Sequence, residues 1–210
     1  SYRIKELGLN GNNYRDYVSD YDYFWVNRIN NNYQCWIQDK LTSRYVLEKH
    51  KALLPKYYYA VRNSNGRRRY IALPDLPSNF DCTDNSLYEL LKEKGILAIK
   101  KKNGAHGEGF FKFEAYGNRL KVNGKEMSLE EAISIISPDE TVMLVTEYVE
   151  MHPLLKNIFP DSLNTVRVNC FSETETGPQI GACFVKFGHS KGGYTDNINT
   201  EAGGIIVELD

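Results

Sequence analysis

Apolar residues recur along this 210-residue chain in two patterns, one at helical spacing and one in blocks that suit strands. "QDKLTSRYVLEKHKALLP" reads as a helix that Asp39 caps, with Leu41, Tyr45 and Leu47 roughly on one face and Pro55 ending it. "RNSNGRRRYIALP" predicts a tight turn between two strands, with Arg67, Arg68 and Arg69 on a solvated edge. "SLYELLKEKG" combines a capping box, Ser86 with Glu89, a stripe of Leu87, Leu90 and Leu91, and Gly95 as the stop. "SLEEAISIIS" repeats that logic with Ser128 and Glu131 and buries Leu129, Ala132, Ile133 and Ile136.

The remaining segments read as strands. "ILAIK" follows the first capped helix, and "FFKFEAYGNRLKVNG" predicts a hairpin turning at Gly117 and Asn118. "TVMLVTEYV" is apolar on both faces, which suits the interior of a sheet. "NTVRVNCF", "GPQIGACFVKFG" and "GGIIVELD" predict an antiparallel meander. Helices and strands in this order give an α+β fold, not a βαβ array. Three regions follow: a helical, aromatic-rich stretch over 1–85, a lobe over 86–150, and the start of a second lobe over 151–210.

Composition narrows the class. Apolar residues make up 41% and charged residues 25%, the profile of a soluble globular protein. Lys plus Arg, 26, nearly balance Asp plus Glu, 27, so no strongly basic nucleic-acid footprint is expected. No apolar run approaches the roughly 20 residues that span a bilayer, and no signal peptide is visible. Cys35, Cys82, Cys170 and Cys183 show no ligand spacing and read as reduced thiols of a cytoplasmic protein. Eleven of the fifteen tyrosines fall in the first 70 residues with Trp25 and Trp36. Packing between short helices explains them more simply than stacking on sugar rings. The chain opens without methionine and stops inside a strand-like run, which suggests a piece cut from a longer protein.

One stretch interrupts the strand pattern. "IKKKNGAHGEGFFKF" places Gly104, Gly107 and Gly109 between two strands, as the tip of a hairpin. The spacing is neither the dinucleotide fingerprint, which opens a helix, nor a P-loop, which needs Gly-Lys-Ser/Thr. Glycines there permit positive φ and bring bare backbone toward a ligand, and successive N–H groups form a nest for an anion. Lys100 adds a fixed charge just before the loop. A plain surface turn and a lid over phosphate both fit this stretch taken alone.

Its neighbours add to it. With Lys100, "IKKKNGAHGEGFF" resembles the lysine and glycine loop of the ATP-grasp superfamily, with Lys101 where proline is usual. "LVTEYVEMHPLL" resembles that superfamily's hinge strand, and "QDKL" its upstream Asp-Lys segment. "SLNTVRVNCF" followed by "YTDNINTEAGGIIVELD" is similar to the branch called sugar-transfer associated ATP-grasp. The likeness runs from about Asp39 to the end.

The resemblance implies two α+β lobes sandwiching a nucleotide, the second incomplete in this chain. Lys40 and Lys100 would bind the α- and β-phosphates, and Gly104, Gly107 and Gly109 would cover them. Glu147 would face the adenine amino group, while the backbone of Tyr148 and Val149 pairs with the adenine edge. Arg167 would meet the transferring phosphoryl group as the catalytic residue, its planar fork suited to that charge. Thr165 stands where many relatives carry aspartate near the ribose, and Lys186 and Asn199 would line the phosphate end. His106 reads as a loop residue, His152 as a packing residue, and Asp196 with Asn197 as turn chemistry.

ATP and Mg²⁺ are the implied cofactors. The superfamily holds magnesium with late acidic residues ending in Glu-x-Asn. None follows Gly204, and Glu208 and Asp210 receive no role, so the metal ligands stay unidentified. The activity implied is an ATP-dependent carboxylate–amine ligase working through an acyl-phosphate, in the biosynthesis or modification of a cell-surface polysaccharide. Its partners would be the nucleotide and a small-molecule or glycan-linked acceptor. A kinase acting on a hydroxyl, or an inactive nucleotide-binding module, are the alternatives. The sequence sets no oligomeric state.

Overall fold

The strand patterns between residues 57 and 147 build one antiparallel sheet. In the computed structural model the described residues are 8, 10–16, 18–26, 31–104, 107, 109–136, 138, 140–173, 177–188 and 205–208. The chain divides into two compact units, 1–46 and 47–210.

The first unit holds α1 (Asp20–Val26), α2 (Asn31–Gln38) and α3 (Lys40–Val46). Its aromatics do not pack between helices as expected: Tyr21, Tyr23, Trp25, Tyr33 and Trp36 are all exposed. Helices of seven or eight residues carry too little apolar face for a shared core, so contacts stay local. Tyr33 and Trp36, one turn apart on α2, meet edge to face with ring centroids 4.9 Å apart. Asp39 caps α3 as predicted, its Oδ1 accepting from the Leu41 and Thr42 N–H groups at 3.0 Å. The helix then stops at Val46, well before Pro55, and Glu48–Leu53 continues as a 3₁₀ helix kinked at His50. Tyr45 and Leu47 are exposed, and Arg44 is the buried side chain.

The second unit begins with β1 (Tyr57–Ser64) and β2 (Arg67–Ala72), joined by Asn65 and Gly66 at φ 52° and 71°. Two successive residues at positive φ make the turn that matches hairpin twist. Helix α4 (Asp84–Lys94) leads to β3 (Ile96–Lys101), β4 (Phe111–Tyr116), β5 (Arg119–Val122) and β6 (Lys125–Met127). Helix α5 (Leu129–Ile135) then precedes β7 (Val142–Glu147). The strands run antiparallel in the order β2-β1-β7-β3-β4-β5-β6, so β7 is interior, as its apolar faces predict.

Helix α4 starts earlier than the sequence pattern indicates. Thr83 is its N-cap, accepting from the Ser86 N–H, and the Ser86 hydroxyl instead accepts from the Asp81 N–H at 2.7 Å. Leu87, Leu90 and Leu91 are buried and Gly95 ends the helix at φ 75°, both as predicted. The α5 capping box forms in full between Ser128 and Glu131. The core joins these helices to Tyr59, Val61, Leu97, Ile99, Phe113, Met143 and Val145 on one face of the sheet.

A short helix α6 (Pro153–Lys156) leads to β8 (Thr165–Glu173), β9 (Gly177–Phe187) and β10 (Ile205–Glu208), which form the expected meander in the order β10-β9-β8. The class is α+β, as read from the element order.

Candidate nucleotide site

The sheet face opposite the helices carries the candidate chemistry. Lys100 pairs with Leu144, and Ala98 with both Thr146 and Lys112, so residues 98, 100, 112, 144 and 146 share that face. A register shift between Tyr57 and Tyr59 sets Tyr57 against Thr146, whereas Tyr59 stands against Val145. The bulge turns the Tyr57 ring to the lysine side, where Lys100 Nζ lies 5.4 Å from its centroid. Lys112 Nζ lies 5.3 Å from the Tyr148 ring and pairs with Glu114 at 2.8 Å. Sequence reasoning missed Lys112; only its alternation with Phe111 and Phe113, read in register with Ala98, could have placed it on this face.

β3 and β4 pair directly, from Ile96 opposite Glu114 to Ile99 opposite Phe111, so the glycine loop is a hairpin tip. Gly107 and Gly109 adopt φ of 76° and 68°, the left-handed region that glycine favours. A Cβ on Gly109 would fall 2.7 Å from Lys101 Cε, so the lysine stem lies flat against that glycine. Gly104 is half-buried. His106 lies outside the described residues.

The segment after β7 forms the other end of the groove. Tyr148, Val149, Glu150 and Met151 line a cavity of about 200 Å³ together with Ile96, Lys112 and Leu163. Glu147 Oε2 accepts a hydrogen bond from the Lys56 N–H at 3.1 Å, and the Glu147 N–H donates to the Lys56 carbonyl at 2.8 Å. The carboxylate therefore already steadies the entry to β1. Burial, with Glu147, Asp75 and Glu93 beside it, pushes the Tyr58 hydroxyl up to about 12.

Asn164 ties this hinge to the three-stranded sheet. Buried at 4% exposure, it donates from Nδ2 to the carbonyls of Leu155 and Phe159 at 3.1 and 2.9 Å. Its Oδ1 accepts from the Gly188 N–H at 3.0 Å. The Gly188 position has no room for a side chain, since a Cβ would fall 1.9 Å from Ser162 Oγ. Asn164 belongs to the "SLNTVRVNCF" motif, but its bracing role is not readable there, because its partners lie up to 24 residues away.

Thr165, Arg167 and Lys186 come together on β8 and β9: Thr165 stands opposite Lys186, and Arg167, two residues along, opposite Phe184. Arg167 is exposed. Its strand has no covering layer among the described residues, with Val166, Val168 and Phe171 also exposed. His152 is likewise exposed and caps α6, its Nδ1 accepting from the Leu154 N–H at 3.3 Å, in place of the expected packing role. Lys40 opens α3 in the first unit. Burial holds its ammonium below the usual lysine range, against the opposing effect of Asp39. Asp196, Asn197, Asn199, Gly204 and Asp210 lie outside the described residues.

Among the described residues no three His, Cys, Asp or Glu side chains gather as metal ligands, and no helix is long and apolar enough to cross a membrane. Cys35, Cys82 and Cys170 are exposed and Cys183 is half-buried.

A lysine and a glycine-tipped hairpin lie on one strand pair, with Glu147 at the end of the next strand. The chain belongs to the sugar-transfer associated ATP-grasp family, whose model matches residues 23–210. No curated protein and no solved structure matches it. The match begins sixteen residues before the motifs do, so α2 and the end of α1 fall within the family's span. Membership implies a nucleotide substrate and an ATP-dependent ligase or related activity.

Proposed function

We propose that this chain binds ATP for a carboxylate–amine ligase. The observation that carries the reading is the pairing of β3 with β7. Lys100 stands opposite Leu144, four residues before Tyr148, a separation of about 13 Å at strand spacing. That reach suits an extended nucleoside diphosphate, with its base at the hinge and its phosphates at the lysine.

In this reading the Tyr148 and Val149 backbone pairs with the adenine edge, and the Glu147 carboxylate takes the amino group only by sharing its bond from Lys56. Lys100 holds the phosphates, and the amides of Gly104, Gly107 and Gly109 close over them; for Lys40, in the other unit, the phosphate role rests on the family resemblance alone. Thr165 lies toward the ribose. Arg167, Lys186 and Asn199 receive the transferring phosphoryl group, where a fixed guanidinium stabilises charge that develops in the transition state. The cavity beside Tyr148, with Ile96 on one wall and Lys112 at its rim, fits a planar base that accepts a nearby cation. Magnesium would neutralise the phosphate oxygens, and no described residue is assigned to it.

The nucleotide supplies its γ-phosphoryl group to a carboxylate oxygen as the bond to the β-phosphate oxygen breaks. An amine then attacks the acyl carbon and phosphate leaves. The family's association with sugar transfer favours an acceptor from polysaccharide biosynthesis. ADP release in the presence of candidate acids and amines tests the reaction. Release that needs both supports the ligase, whereas release with a polyol alone identifies a kinase and overturns it.

A further inference from the structure

The face that carries Lys100 extends beyond β7 to an arginine cluster with no role in nucleotide binding. Arg62 on β1 stands directly opposite Arg69 on β2, and Arg67 stands opposite Ser64 one pleat away. Side chains alternate across a strand, so all three arginines project from the Lys100 face and Arg68 from the other. The contrast between them is chemical. Arg68 pairs with Asp84 at 2.5 Å, while no carboxylate among the described residues pairs with Arg62, Arg67 or Arg69.

Two like charges directly opposite in an antiparallel ladder are destabilising. One cationic residue would be enough to protect an edge strand from pairing with another chain; a facing Arg–Arg pair with a third beside it goes beyond that need. The three side chains also border a concavity of about 610 Å³ with Ser64, Asn65 and Ile71. Guanidinium forks bind carboxylate or phosphate bidentately. Three of them approach the charge of a diphosphate, and they overmatch a single carboxylate.

We propose that Arg62, Arg67 and Arg69 form a second anion site that binds a phosphoryl group carried by the acceptor. Two strand spacings and one pleat separate Arg62 from Lys100, about 12 Å between backbones. An acceptor held here would therefore lie along the same face as the nucleotide phosphates without sharing their ligands. The acceptor role rests on the ligase reading; the anion site itself does not.

The test is calorimetric titration of inorganic diphosphate and of ADP into the whole chain. Arg62→Gln/Arg69→Gln should weaken diphosphate binding tenfold or more and change ADP affinity less than twofold. Lys100→Met should do the reverse. Arg62→Lys/Arg69→Lys, which keeps the charge, should restore part of the diphosphate affinity and guards against an effect of misfolding. Unchanged diphosphate binding in the glutamine variant, or equal loss in Lys100→Met, overturns the proposal. Loss of diphosphate binding only in the glutamine variant, with no ADP binding by any form, would sink the ligase reading and leave the anion site standing. Hexose 1-phosphate in solution and vesicles containing phosphatidic acid separate the sources: whichever binds in an arginine-dependent way identifies a soluble or a membrane-held acceptor, and binding of neither overturns the acceptor role.

Discussion

Asn164 Oδ1 accepts a hydrogen bond from the Gly188 N–H at 3.0 Å, joining the start of β8 to the end of β9. The same amide holds the carbonyls of Leu155 and Phe159 from its other side, so one side chain fixes the hinge against the three-stranded sheet. Replacing it with alanine takes the partner from the buried Gly188 N–H and the part-buried Phe159 carbonyl, while the Leu155 carbonyl still accepts from the Ile158 and Phe159 N–H groups. Asn164→Ala should lower stability by roughly 2–3 kcal/mol, since each unsatisfied buried group carries a desolvation cost. Urea unfolding measures this, and a loss under 0.5 kcal/mol, the scale of a surface change, would remove the bracing role.

Gly188 depends on the same cluster. Gly188→Ala drives a methyl group into Ser162 Oγ and Cβ, which lie 1.9 and 2.5 Å from the built position. Overpacking of this kind costs about 1–3 kcal/mol. Adding Ser162→Gly should recover part of that loss, because it removes both clashing atoms. Additive destabilisation in the double variant would show that the contact is not the cause.

Tyr58 makes stability depend on alkaline pH. Its hydroxyl is raised to about 12 by burial and then by Glu147, Asp75 and Glu93, against about 10 in an unfolded chain. Between those values the unfolded chain has lost a proton that the folded chain keeps, so stability falls as pH rises. The contribution is whole below pH ~10 and is lost through pH ~12. Tyr58→Phe should flatten that part of the profile, leaving the slope from Tyr70, whose hydroxyl is also raised by burial and by its bond to Asp84. Glu147→Gln should bring the Tyr58 titration down, followed by tyrosinate absorbance. An unmoved titration contradicts the coupling of Tyr58 to the hinge.

How much of this was legible in the sequence depended on how local each interaction is. The α5 capping box spans three residues and forms as written, and the glycine hairpin turns where Gly107 and Gly109 allow it. Ser86 was misread because its partner is the Asp81 N–H and Thr83 had the better cap position. Tyr57 faces Lys100 only because of a bulge that no alternation pattern predicts. The apolar neighbours of Arg167 mark a strand and not its burial, which depends on what covers it, and β8 is exposed on both faces. Asn164 stands inside the quoted "SLNTVRVNCF" motif but received no role, because its partners are distant in the chain.

In the proposed reading Arg167 serves the chemistry and not nucleotide binding. Exposed on β8 beside Thr165 and two residues from the Lys186 pairing, it is free to change without a folding cost. Arg167→Ala should leave ADP affinity within about twofold, well under the 1.4 kcal/mol of a tenfold change, and lower turnover of the active protein by 10²-fold or more, the scale for a lost transition-state contact. Retained turnover would reassign the phosphoryl contact to another residue.

The central claim is that a nucleotide lies along the β3–β7 seam, with its base at Tyr148 and its phosphates at Lys100. Backbone hydrogen exchange with and without ADP tests it residue by residue. Protection confined to the amides of Tyr148, Val149, Gly107 and Gly109, and absent at the same ADP concentration in Lys100→Met, is the predicted result. Protection that bypasses both the hinge and the glycine tip, or that survives undiminished in Lys100→Met, would contradict the account.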